Sequence, residues 1–160
     1  MSAIKKLSLK IFFSTVLLLT FFSCLKKENT TTAVKNPDEI SFISLSDIGG
    51  SLGNYRIIRI TKDSIHSEQG SSAGKIHHRW DSAITPETWQ NIASTIDPET
   101  LDKIKSSPSK QPVDGIDETF QIRTPKKSHV YVNSYIDTIH YKQFQKLKIQ
   151  IEKILPKEYQ

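Results

Sequence analysis

Four segments with the alternating side chains of β-strands precede the first helix signal, and this order restricts the fold more than any other feature. In residues 55–61 (YRIIRIT), Arg56, Ile58 and Ile60 share one side of an extended chain. Lys62 and Asp63 predict a tight turn into the next segment. The four segments are 40–45, 55–61, 64–69 and 75–83. We expect them to form an antiparallel meander with one buried face.

Helix signals begin at Thr85, where a hydroxyl N-cap is followed by Pro86 and an acidic residue. The apolar residues after it have the spacing of a helix that faces a core; they are Trp89, Ile92, Ala93 and Ile96. A second start at Asp97 predicts a short helix that carries Leu101 and Ile104. The polar, proline-containing stretch 106–115 is then expected to be a loop.

Two more strands, 118–124 and 129–136, are predicted as a hairpin, and a helix over 141–155 closes the chain. The inward face of this helix is predicted to consist of Phe144, Leu147, Ile151 and Ile154. The order of elements is therefore β-meander, helix, β-hairpin and C-terminal helix. It predicts an α+β fold, with a mainly antiparallel sheet and helices packed on one face.

The N-terminal residues have the pattern of a secretory signal peptide. A lysine-containing start is followed by an apolar stretch over 11–23, which is shorter than the roughly 20 residues of a membrane-spanning helix. The stretch ends at Cys24, the only cysteine of the chain. The junction Phe21-Phe22-Ser23-Cys24 resembles the lipobox of bacterial lipoproteins, which implies cleavage after residue 23 and lipidation of Cys24. Stable anchoring in the membrane requires more than one acyl chain, and this modification supplies them.

Residues 24–39 are predicted to be the lipidated cysteine and a flexible tether, because they contain no aromatic residue and few apolar ones. A single α+β domain is expected over residues 40–156. Leu25 and Lys26 differ from the aspartate that retains enteric lipoproteins in the inner membrane. We therefore expect a cell-envelope location, with the outer membrane favoured over the inner one.

Removal of the signal peptide changes the charge of the protein. The full chain has a net charge of +5, from 22 basic and 17 acidic residues. Three of the lysines lie in the signal peptide, so the mature protein is close to +2. This small charge, together with export, gives no reason to expect a nucleic-acid partner.

The histidines do not predict a metal centre. His77 and His78 are adjacent on a predicted strand, so their side chains point to opposite faces and cannot easily share an ion. The other three histidines are spread along the chain. We expect no bound metal and no cofactor.

The sequence contains one candidate binding loop, at the start of the strand 118–124. Its residues are Gln111, Asp114, Gly115, Asp117 and Glu118. An Asp-Gly pair is typical of a turn, and acids here can accept hydrogen bonds from backbone N–H groups. The alternative is a contact surface or a weak cation site. A cation site here is expected to be weak, because the spacing of the acids differs from that of an EF-hand calcium loop.

No catalytic motif is apparent. The chain has no Gly-x-Ser-x-Gly motif, and a lipidated Cys24 cannot act as a nucleophile. A resemblance to known proteins is carried by residues 55–65, Trp89, 101–104, 107–117 and 122–124. Through these residues, most of the chain after the tether resembles small uncharacterised lipoproteins of Gram-negative bacteria. The resemblance supports a single domain and a recurring loop at Asp114-Gly115, and it implies no catalytic residue.

Two functions therefore remain open. The first is a non-enzymatic binding or interaction module, anchored to the membrane through Cys24, with an envelope protein as its partner. The second is a small hydrolase or metal-dependent enzyme with a site near the 111–118 loop. We favour the first function, because the domain is small and its sequence shows no catalytic constellation.

Overall fold

The computed structural model describes residues 38–74 and 77–160 of the chain. The predicted signal peptide, Cys24 and almost all of the predicted tether lie outside the described residues. The strands are β1 (Phe42–Gly49), β2 (Asn54–Ile60), β3 (Ser64–Ser71), β4 (His77–Ala83), β5 (Ile116–Arg123) and β6 (Ser128–Val132). The α-helices are α1 (Pro86–Ala93) and α2 (Tyr141–Ile154). Short 3₁₀ helices cover Pro98–Lys103, Gln111–Val113, Ser134–Ile136 and Lys157–Tyr159.

The six strands form one antiparallel sheet in the order β4-β3-β2-β1-β5-β6. The first four strands are the predicted meander, and the β5–β6 hairpin returns to pair with β1. Strand β1 therefore lies in the middle of the sheet, with Leu45 opposite both Ile58 and Phe120. The predicted α+β fold is confirmed.

One face of the sheet and both helices enclose a single hydrophobic core. The strand residues of the core alternate as predicted, with Ile58 and Ile60 of β2 fully buried. Phe120 of β5 stacks on Phe144 of α2 with a ring-centroid distance of 4.1 Å. Because all buried apolar strand residues are on the same side, both helices pack on one face and the other face is open.

Helix α1 begins as its sequence predicts. Thr85 accepts a hydrogen bond from the backbone N–H of Thr88, and Pro86 occupies the first turn. Trp89 and Ile92 face the core. The short helix after Asp97 is a 3₁₀ helix, Pro98–Lys103, in which Leu101 is buried.

The predicted strand 129–136 is wrong over its second half. Strand β6 ends at Val132, and Asn133 has the left-handed conformation with φ 49°. Its side chain is fully buried, and its Nδ2 donates to Pro108 O at 3.1 Å. These contacts turn the chain away from the sheet, and the 3₁₀ helix Ser134–Ile136 follows.

Helix α2 crosses the sheet and buries Phe144, Leu147 and Ile151, as predicted. Ordered structure continues past residue 156, because Tyr159 is buried and its carbonyl accepts a hydrogen bond from Arg56. Among residues 38–74 and 77–160, no helix is long and apolar enough to span a membrane.

Candidate functional site

The predicted binding loop is a tightly closed turn. Lys110 O accepts hydrogen bonds from the backbone N–H groups of Val113 and Gly115. The left-handed residue of the turn is Asp114, with φ 57°, whereas Gly115 does not have a positive φ. Gly115 is required for a different reason, because a Cβ atom there would lie 2.8 Å from Lys110 O.

Asp117 holds this loop against the sheet. Its side chain accepts hydrogen bonds from the hydroxyl of Ser109, the backbone N–H of Lys110 at 2.7 Å and the Asn133 amide at 2.7 Å. The Ser109 hydrogen bond, followed by that from Lys110, lowers the pKa of Asp117. Asp117 is 6% exposed and both of its carboxylate oxygens accept hydrogen bonds, so it has an architectural role.

Glu118 lies on the other side of the strand from Asp117. It accepts a hydrogen bond from Tyr141 Oη at 2.6 Å and forms an ion pair with Lys148. Burial and this hydrogen bond raise the pKa of Tyr141. The loop candidates therefore do not converge: Asp117 and Glu118 point to opposite faces, while Gln111 and Asp114 are exposed.

A row of polar residues crosses the helix-covered face of the sheet near one end of its strands. Each member is the direct cross-strand neighbour of the next, in the order Glu118, Asp47, Arg56, Gln69 and His78. These residues belong to five different strands. We call this set the polar row. The hydrophobic core ends at this row, where charged side chains of α2 approach the sheet.

Arg56 and Gln69 attach the polar row to the C-terminal segment. Arg56 donates to Glu152 Oε1 at 2.7 Å and to Tyr159 O at 2.9 Å. Gln69 Nε2 donates to Glu158 O at 2.8 Å. These side chains are therefore held in place from α2 and the residues after it.

Asp47 differs from Glu118, the other acid of the polar row. It is partly buried and accepts no hydrogen bond from any residue that the structure describes. Burial is the main cause of its raised pKa; the Glu118 and Glu152 carboxylates add to the increase, while Lys148 and Arg56 oppose it. Within the described part of the chain, Glu152 Oε2 is also buried without a partner. The charged side chains around Asp47, counted with Asp47 itself, are therefore three carboxylates and two cations.

An open cleft of about 420 Å³ lies beside Asp47. Its lining includes Asp47, Asn54, Arg56, Gln69, His78 and Ile116. The cleft is large enough for a small polar group, and Asp47 supplies a carboxylate with unused acceptor capacity. The arrangement suits a ligand that carries hydrogen-bond donors and a positive charge.

The histidines occupy separate environments. His77 bonds to Tyr55 Oη at 2.6 Å on the open face, whereas His78 lines the cleft. His66 pairs with Asp81 at 2.6 Å, and His140 lies 2.9 Å from Asp137. In residues 38–74 and 77–160, no group of three His, Cys, Asp or Glu side chains is placed to hold a metal ion.

The sequence reasoning missed the site around Asp47, although one signal was present. Arg56 shares the inward side of β2 with Ile58 and Ile60, and an arginine on an apolar face requires a buried acceptor. That acceptor is Glu152, which lies 96 residues further along the chain. The signal pointed to an acidic partner without identifying it.

Comparison with known proteins adds no relative to these observations. No protein-family model matches the chain, and no curated protein matches it either.

Proposed function

We propose that the protein is a lipid-anchored, non-enzymatic binding module of the bacterial cell envelope. The apolar segment that ends at Cys24, with its resemblance to a lipobox, supports the anchor. The absence of Asp after Cys24 favours the outer membrane over the inner one. The proposed partner is an envelope protein that presents a basic side chain.

The observation that carries the binding proposal is the Asp47 carboxylate at the cleft, which accepts no hydrogen bond from the described residues. Among the described residues, the electrostatic neighbours of Asp47 are two carboxylates, Glu118 and Glu152, and two cations, Lys148 and Arg56, so the five groups together have one more negative charge than positive. A guanidinium or ammonium group that enters the cleft would neutralise this charge and donate to Asp47. Removal of water from the pair would strengthen the interaction.

The geometry gives less support to a hydrolase at the 111–118 loop. A pair of catalytic carboxylates requires two acids that face the same space, whereas Asp117 and Glu118 point to opposite faces of the sheet. Three donors hold Asp117, and Lys148 and Tyr141 hold Glu118. Neither acid is available as a general base.

The anchor is tested with Cys24→Ala. Cells are labelled with a palmitate analogue, and we expect label on the wild-type protein and none on the variant. The variant should accumulate as an unprocessed precursor or as a soluble periplasmic form. Equal labelling of the two proteins would contradict lipidation at Cys24.

The binding site is tested on the full-length protein, extracted from the envelope in a mild detergent. The probe is Nα-acetyl-arginine methylamide, and its neutral counterpart with citrulline in place of arginine is the control ligand. We expect binding of the arginine probe only, with a loss of about tenfold or more in Asp47→Asn. Asp114→Asn is the control variant, because Asp114 is exposed. Equal binding of the two probes, or unchanged binding by Asp47→Asn, would contradict the proposed site.

A further inference from the structure

The two edges of the sheet differ in their protection. At one edge, the chain that precedes β5 bonds to the last residue of β6: Ser107 N donates to Val132 O at 2.9 Å, and Val132 N donates to Ser106 Oγ at 3.1 Å. At the other edge, no described residue pairs with the outer side of β4. Strand β4 is seven residues long, has no proline or lysine and runs in unbroken register with β3. An edge of this kind can pair with another strand.

The backbone groups that β4 directs outward follow from the hydrogen-bond pattern. Ile84 N donates to Asp63 O, and hydrogen-bonded pairs recur at every second residue of an antiparallel ladder. Residues 78, 80 and 82 therefore bond to β3. The N–H and C=O groups of residues 77, 79, 81 and 83 point away from the sheet.

We propose that two copies of the protein pair along β4, antiparallel and about a twofold axis at Trp80. The two six-stranded sheets would become one continuous sheet. In this register Arg79 of each copy lies opposite Asp81 of the other, so the interface contains the same charge pair twice. Both residues are exposed, and both lie on the open face.

The charges select this register among the alternatives. A shift by one residue would place outward backbone groups opposite inward ones, which prevents hydrogen bonding. The next twofold registers that align outward groups place Arg79 opposite Arg79, or Asp81 opposite Asp81. Like charges directly opposite each other destabilise a pair of strands, whereas opposite charges stabilise it. Within one copy, Arg79 Nε already donates to Asp81 Oδ2 at 2.8 Å. The paired strands would therefore present four charges of alternating sign.

The helix-covered face also fits this arrangement. Residue 80 occupies the non-hydrogen-bonded position, where opposite Cα atoms approach to about 4.5 Å. Trp80 is only partly buried, and its ring lies 6.2 Å from that of Tyr159. Pairing of the two copies would bring the two Trp80 side chains together and remove apolar surface from water.

The test uses charge reversal in the full-length protein, solubilised in detergent and studied by sedimentation equilibrium. Either substitution, Arg79→Asp or Asp81→Arg, places like charges opposite each other in both cross-strand pairs of the interface. We expect each variant alone to self-associate about tenfold or more weakly than the wild type. An equimolar mixture of the two variants restores both opposite-charge pairs, so we expect a heterodimer close to wild-type affinity. Lys142→Asp makes the same change of charge as Arg79→Asp, but on the exposed side of α2, and should leave association unchanged.

The mixture distinguishes the interface from a general loss of folding, because misfolded variants would not rescue each other. A monomeric wild type would overturn the proposal. So would single variants that associate as tightly as the wild type, or a mixture that associates no better than its components.

Discussion

Asp47 and Asp117 lie at the same end of the sheet on the neighbouring strands β1 and β5, yet their environments are opposite. Asp117 faces the open side, where the 106–115 loop covers it and three donors bind it. Asp47 faces the helices and has no donor among the described residues. Hydrogen bonds lower the pKa of Asp117, whereas burial raises that of Asp47.

This difference separates an architectural carboxylate from a candidate functional one. A fully bonded carboxylate stabilises the fold that holds it, so its presence needs no further explanation. A partly buried carboxylate without donors reduces stability. We propose that at the cleft a ligand supplies the missing donors.

The largest expected effect on stability is at Asp117, the architectural carboxylate. Asp117→Ala removes the acceptor of three hydrogen bonds and leaves the Lys110 N–H without a partner among the described residues, while the Asn133 amide keeps its hydrogen bond to Pro108 O. We expect a loss of about 2 to 4 kcal/mol in the free energy of unfolding. Chemical denaturation measures it, with Asp114→Asn as the exposed control. A loss as small as that of the control would show that Asp117 is not architectural.

The second prediction concerns the turn that Asp117 holds. A Cβ atom at Gly115 would lie 2.4 Å from Lys110 Cβ and 2.8 Å from Lys110 O, so Gly115→Ala requires the loop to move. We expect a loss of about 1 to 3 kcal/mol in the free energy of unfolding. Asp114→Gly is the matched control and should be neutral or stabilising, because Asp114 has a positive φ. Equal stability of Gly115→Ala and the wild type would contradict the close approach.

Acid titration extends the comparison to Asp137. Its burial would raise the pKa, but hydrogen bonds from the backbone N–H groups of His140 and Lys105 dominate and lower it from 3.8 to about 2. A lowered pKa in the folded state contributes stability above pH 3.8, and this contribution is lost as the pH falls towards about 2. We expect Asp137→Asn to lose less stability over this range than the wild type, as followed by denaturation at each pH. Parallel curves would contradict the assignment.

The smallest effect on stability is expected at Asp47, where substitution should stabilise the protein and not destabilise it. The raised pKa means that the folded state disfavours the ionised carboxylate, so the cost appears as the pH rises above 3.8. Asp47→Asn should therefore be slightly more stable than the wild type at neutral pH, by less than about 1 kcal/mol. The difference should disappear at low pH. A substantial loss of stability in Asp47→Asn would make Asp47 an architectural residue like Asp117.

The sequence was sufficient for the fold where the signal is local. The alternation around Ile58 and the stripe from Trp89 to Ile96 identified strands and a helix, since each depends on residues close together in the chain. It failed at Asn133, where contacts with Pro108 and Asp117 ended a segment that otherwise resembled a strand. A tertiary hydrogen-bond network had overridden local preference there.

The candidate site could not be predicted because it depends on pairing between distant strands. Asp47 meets Glu118 only because the β5–β6 hairpin returns to β1 and not to β4. The register of that pairing also determines that Asp117 faces the loop while Glu118 faces α2. Acidic residues that are neighbours in sequence therefore have unrelated roles, and residues far apart form the polar row.

The most direct test is the titration of the individual aspartate carboxyl groups in the full-length protein by ¹³C NMR. We predict a pKa above 3.8 for Asp47 and below 3.8 for Asp117 in the same sample. Addition of the arginine probe should lower the pKa of Asp47 and leave that of Asp117 unchanged, since a nearby cation favours the ionised form. A pKa of Asp47 at or below that of Asp117, or one that does not respond to the probe, would show that Asp47 is not the binding carboxylate proposed here.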